Sequence, residues 1–175
     1  MLTRSDAILF GIIFLFIFEI VLFIRKIKIK KCIMLGLFVT YLTLTLSVTL
    51  FPIPFQEVYA SGYSHNFFPF KSIISSARAG IRPFVSSVLG NVVLTTPFGF
   101  LISLFRKDKS FISMLIYVIL FSAGIEALQL FIGLGIGYWY RNVDIDDLIL
   151  NTVGGILGWG IYKIFPKKTL DFLVY

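Results

Sequence analysis

Histidine and cysteine are nearly missing from this chain: one of each, His65 and Cys32, stands among 175 residues. A single cysteine excludes an internal disulfide and a CxxC metal site. A single histidine excludes a multi-histidine zinc site, and equally a histidine-based phosphatase centre, within one chain. Charge is scarce too, at 14% of residues, where an ordinary soluble domain carries roughly 25%. A G-x-S-x-G nucleophile elbow is absent. The spacing of Gly133, Gly135 and Gly137 lacks the preceding strand that a nucleotide-binding fingerprint requires. There is no internal repeat, low-complexity tract or interdomain linker, so residues 1–175 read as a single membrane domain without a soluble catalytic part.

What the chain has in abundance is apolar side chains, 58% of residues, with a mean hydropathy of +0.93. They are gathered into runs. A helix rises about 1.5 Å per residue and the hydrocarbon core is roughly 30 Å thick, so about 20 apolar residues make a span. Five stretches meet or approach that length: Ala7 to Ile24, Cys32 to Phe51, Pro83 to Phe105, Ser110 to Ile132 and Leu148 to Phe165. The first is longer than a signal-peptide core and is followed by a basic segment, so it reads as a retained helix. The expected fold is all-α, a polytopic membrane protein of about five transmembrane helices in the bacterial plasma membrane. Cys32, at one end of the second span, reads as a packing residue.

Lysine and arginine collect in cytoplasmic loops. Arg25, Lys26, Lys28, Lys30 and Lys31, then Arg106, Lys107 and Lys109, then Lys163, Lys167 and Lys168 all fall on one side of a five-helix arrangement. Arg4, Lys71, Arg78, Arg82 and Arg141 fall on the other. This places the N-terminus outside and the C-terminus inside. The net charge of +7 is therefore juxtamembrane and suits anionic headgroups rather than nucleic acid.

The one long connection, Pro52 to Arg82, is external in this arrangement. Its segment Asn66 to Ile74 is rich in aromatics, and two readings stay open: a stretch lying flat at the interface with its rings at headgroup depth, or an ordinary loop. Pro97, after Thr95 and Thr96, predicts a kink in the third span. Gly154 and Gly158 form a G-x-x-x-G that permits close helix packing, including a contact between two copies of the chain.

Ionisable groups inside a bilayer are expensive and therefore informative. Glu19 lies near the basic loop and can reach out to it. Glu126 shares one helical face with Ser122 and Gln129. Asp144, Asp147, Asn151, Gly155 and Gly158 share one face of the last helix, whereas Asp146 points nearly opposite. With Asn91 and Arg141, these residues define an expected polar cluster of Asn91, Glu126, Gln129, Arg141, Asp144, Asp147 and Asn151 near the outer leaflet. Two accounts of it stay open. In one, Asp144 is an N-cap, Asp147 is a first-turn acid, and Arg141 neutralises Glu126. In the other, the cluster binds a headgroup, a sugar-lipid, an ion or a proton. Glu126, Asp144 and Asp147 also offer oxygen ligands of the type Mg²⁺ prefers, although nothing in the pattern calls for a metal or a cofactor.

Four motifs resemble the VanZ-like family of bacterial membrane proteins over about residues 40–165. They are N-x-x-P-F at Asn66, Pro69 and Phe70; the run Asn91 to Leu101 with Pro97, Phe98 and Gly99; S-x-x-x-E-x-x-Q at Ser122, Glu126 and Gln129; and R-x-x-D-x-x-D-x-x-x-N-x-x-G at Arg141, Asp144, Asp147, Asn151 and Gly154. The founding member of that family is associated with resistance to teicoplanin. The resemblance implies a cell-envelope role rather than a defined reaction, the favoured partner being a membrane lipid or lipid-linked cell-wall component. The alternatives are a membrane enzyme acting on a lipid headgroup, with Glu126 as general base, and a small proton-coupled transporter. The lack of an inverted repeat counts against the transporter.

The charge asymmetry generates a direct test. Tags at the N-terminus and at Gly62 are expected to be labelled in intact cells, and a tag at Lys168 only after permeabilisation; labelling of the Lys168 tag in intact cells would reverse the assignment.

Overall fold

The computed structural model describes residues 1–54, 65–106 and 110–166. Gly62 and Lys168 lie outside them. The described residues form six helices: α1 (Arg4–Ile24), α2 (Ile29–Leu50), α3 (Lys71–Ala79), α4 (Ile81–Phe105), α5 (Phe111–Ile136) and α6 (Ile145–Ile164). Two isolated β-bridges accompany them. The protein is an all-α polytopic membrane protein, and α1, α2, α4 and α5 are long and apolar enough to cross a bilayer. α6 falls short in composition because its first two turns carry Asp146, Asp147 and Asn151. Its 20 residues nevertheless reach the roughly 30 Å that a span requires.

The chain divides into two compact units, one built on α1 and α2 and the other on α3 to α6. In the first, Thr3 and Asp6 form a capping box, each side chain accepting the other's backbone amide, at 3.3 and 2.8 Å. Leu2 and Ile53 exchange backbone hydrogen bonds at 3.0 and 2.9 Å, which sets the start of α1 beside the end of α2. Gly11 packs on Thr43. A Cβ at Gly36 would stand 2.5 Å from Glu19 Oε1, so Glu19 is turned toward α2 instead of out to the basic loop. Cys32 is buried, its thiol directed at the Ile27 carbonyl at 3.6 Å, in keeping with a packing role. Leu22 is the only buried residue of α1; its exposed Phe, Leu and Ile side chains form a surface that water would not tolerate and lipid would.

In the second unit, contacts fix both direction and register. Asn91 meets Asp147, Thr95 meets Asn151, and Phe100 meets Tyr162, so α4 and α6 run parallel. α5 runs antiparallel to both and packs against α6: Ser122 meets Asn151, Val118 meets Gly155, and Phe111 meets Trp159. Phe98 and Phe121 stack at 4.1 Å, tying α4 to α5. The α4–α6 seam is made of backbone. A Cβ at Gly154 would strike the Val92 carbonyl and the Thr95 hydroxyl, one at Gly158 the Thr96 carbonyl, and one at Gly99 the Gly155 carbonyl. The close approach expected of Gly154 and Gly158 is thus made to α4 of the same chain, which already occupies the surface assigned to a homo-oligomer contact. α4 continues through Pro97 as one helix, with the Thr96 hydroxyl bonded to the Val92 carbonyl at 2.7 Å.

The seam predicts its own sensitivity. Gly99→Ala sets a methyl group against the rigid Gly155 backbone, whereas Gly160 has open space around it. Overpacking costs about 1–3 kcal/mol, so Gly99→Ala is expected to lower the thermal midpoint in detergent and Gly160→Ala to leave it unchanged. Equal midpoints would show that the two helices are not held at this distance.

Candidate functional site

The first two turns of α6 send polar side chains to every neighbouring element of the second unit. Asp144 is the N-cap expected from the sequence: its Oδ1 accepts the Asp146 amide at 2.9 Å. The same oxygen accepts the Asn66 side-chain amide at 2.8 Å. Asn66 is fixed further by backbone bonds to Val143 and Ile145, both 2.9 Å, and by Ser72 Oγ at 3.0 Å. Asp147 Oδ1 accepts from Asn91 Nδ2 on α4 at 2.5 Å. Asn151, one turn deeper, donates to Ser122 on α5 at 2.8 Å, and its backbone carbonyl accepts the Thr95 hydroxyl at 2.8 Å.

Glu126, half-buried on α5, accepts the Asp144 amide through Oε2 at 3.1 Å. It therefore supports the start of α6, where the sequence had suggested Arg141 as its partner. Arg141 is half-buried just ahead of α6, and its charge acts on Asp147 and on the Tyr140 phenol. Gln129 is buried, three residues beyond Glu126. Hydrogen bonds thus bring Asn91 from the middle of α4 and Glu126 from α5 to Asp144, Asp147 and Asn151 at the start of α6, with Arg141 just ahead of it. Among the described residues, no three His, Cys, Asp or Glu side chains are grouped to hold a metal ion.

One residue that sequence reasoning set aside is central. Asp146, 1% exposed, projects away from the cluster as expected. Its two oxygens accept the amides of Phe70 at 2.5 Å, Ser72 at 2.8 Å and Ile73 at 3.1 Å. It thereby caps α3, a helix whose own N-cap, Phe70, supplies no side-chain acceptor and has a left-handed backbone (φ 67°). Charge-assisted bonds of this kind contribute roughly 1.5–3 kcal/mol each. The available signal was a short polar helix with no capping residue of its own.

Buried polar atoms at or beside this end without a hydrogen-bond partner among the described residues include Asn151 Oδ1, Tyr140 Oη and His65 Nε2. His65 is oriented by the Val143 amide on Nδ1 at 3.3 Å and by an edge contact with Trp139 at 4.5 Å. Burial pushes the Tyr140 phenol up against the pull of Arg141, so it stays a neutral donor. Each unsatisfied buried group costs roughly 1–3 kcal/mol, a penalty that a bound donor or acceptor would remove.

Residues 38–166 match the model of the family described as VanZ/LLP1. The chain belongs to the VanZ/LLP1 family. Protein VanZ of Enterococcus faecium is 29% identical over 146 residues, covering 79% of this chain and 81% of that protein. No solved structure matches. The matched region takes in α3 to α6 and most of α2, and so the whole polar end of this VanZ-like chain.

The Asp146 cap is testable by amide exchange in nanodiscs. Asp146→Ala is expected to speed exchange at Phe70, Ser72 and Ile73 by at least about ten-fold, the equivalent of roughly 1.4 kcal/mol, with Thr95 and Asn151 unaffected. Unchanged rates in α3 would mean that Asp146 does not hold it.

Proposed function

We propose that this VanZ-like protein acts without catalysis in the bacterial plasma membrane, binding a lipid or lipid-linked cell-wall component at the outer leaflet. By occupying or reordering that component, it lowers susceptibility to teicoplanin-type lipoglycopeptides. The observation that carries the reading is the convergence of Asn91, Glu126, Asp144, Asp147 and Asn151 around the start of α6, with Arg141 just ahead of it and Asn151 Oδ1 buried without a hydrogen-bond partner among the described residues. The roles divide by chemistry. Arg141 suits a phosphate or carboxylate, and Asn151 Oδ1 and the remaining carboxylate lone pairs suit hydroxyl or amine donors. The charge asymmetry supports an outward-facing site, and the resistance element rests on the family resemblance.

Expression in a susceptible Gram-positive host is expected to raise tolerance to teicoplanin, which carries an acyl chain, more than to vancomycin. Arg141→Gln should abolish that difference while the protein still accumulates. Glu126→Gln keeps an oxygen for the Asp144 amide and should retain most of the effect. Equal shifts for the two drugs with expression verified would remove the resistance reading.

A further inference from the structure

We infer that α3 and the aromatic segment ahead of it form a lipid-surface anchor that takes anionic phospholipid headgroups as its ligand, independently of whatever the polar end binds. The segment exposes large apolar side chains: Phe67 at 70%, Phe68 at 73%, Phe70 at 56% and Ile74 at 49%. On a water-facing surface such a patch is an aggregation liability, and at a bilayer boundary it is an anchor. The boundary is where it must lie. Gly80 alone separates α3 from α4, and the exposed row Ile81, Val85 and Leu89 on α4, spaced i, i+4 and i+8, carries the apolar surface into a membrane-spanning helix.

Charge identifies which lipid. Lys71, Arg78 and Arg82 are all exposed, and residues 65–106 contain no aspartate or glutamate. Within α3, Lys71, Ile74 and Arg78 fall at i, i+3 and i+7 on one face, while Ser72, Ile73 and Ser76 are less exposed on the other. The Ser72 and Ile73 amides on that second side are the ones that Asp146 holds. The outward face thus alternates cation and apolar group, so that long basic side chains extend to phosphates while their stems and Ile74 rest on acyl chains. Three cations on a segment that the charge rule assigns to the outside run against the usual depletion of basic residues there. Anionic headgroups supply the counter-charge that the segment itself lacks.

The experiment uses the full chain in phosphatidylcholine vesicles with and without phosphatidylglycerol. With Cys32→Ser, a nitroxide at Phe68→Cys reports depth, and Phe67→Cys is the second position should the first fail to fold. The expected ratio of oxygen to nickel-chelate collisions is several-fold above that of free nitroxide in buffer. A ratio equal to the free label, or close nitroxide pairs showing that a second copy covers this face, overturns the proposal. The triple variant Lys71→Gln, Arg78→Gln, Arg82→Gln should reduce the preference for spin-labelled phosphatidylglycerol over phosphatidylcholine by roughly five-fold or more. The basic loops on the opposite side retain the remainder. An unchanged preference in that variant overturns the headgroup assignment.

Discussion

A polar group that leaves water must find its partner inside the protein, and the architecture of the α3–α6 unit follows from how the start of α6 meets that demand. Its leading side chains are distributed to different neighbours: Asp144 to Asn66, Asp146 to the amides of α3, Asp147 to Asn91 on α4, and Asn151 to Ser122 on α5. Glu126 closes the set by accepting the Asp144 amide. Removing one partner from such a set leaves the other buried and unpaired, which costs more than the bond itself contributed.

The same demand explains the glycines. Asp147 and Asn151 reach Asn91 and the Thr95 hydroxyl only if α6 runs parallel to α4 and very close to it. Gly99, Gly154 and Gly158 allow that approach, since a methyl group at any of them would meet backbone across the seam. Packing and polar satisfaction are one constraint here. Small residues set the distance, and the distance sets which hydrogen bonds can form.

Helix spans were legible in the sequence because a long apolar run is a local property, and the structural ends fall within a few residues of those expected. Co-localisation of Asn91, Glu126, Asp147 and Asn151 was legible too, from helical periodicity and the charge asymmetry. Partner identities were not. Glu126 and Arg141 look like a pair on charge alone, and nothing in the sequence announces that the carboxylate accepts the amide of Asp144 at the head of α6. The role of Asp146 is not legible, because helical periodicity gives its direction only relative to the face of α6 that meets α4 and α5, while its partner, α3, lies elsewhere in the sequence and reads as loop-like. The parallel α4–α6 seam was hidden because G-x-x-x-G names a surface for close packing without naming what packs on it.

These features make the start of α6 a hydrogen-bonded framework with Arg141 just ahead of it and, among the described residues, no hydrogen-bond partner for the buried Oδ1 of Asn151. The central claim is that this end retains an envelope lipid or lipid-linked precursor. Its most direct measurement is mass spectrometry of the lipids that remain with the protein when it is extracted from its membrane in polymer nanodiscs, wild type against Arg141→Gln. The account predicts one species enriched several-fold over the bulk membrane on the wild type and lost from the variant. A lipid complement that mirrors the bulk membrane on both would contradict it.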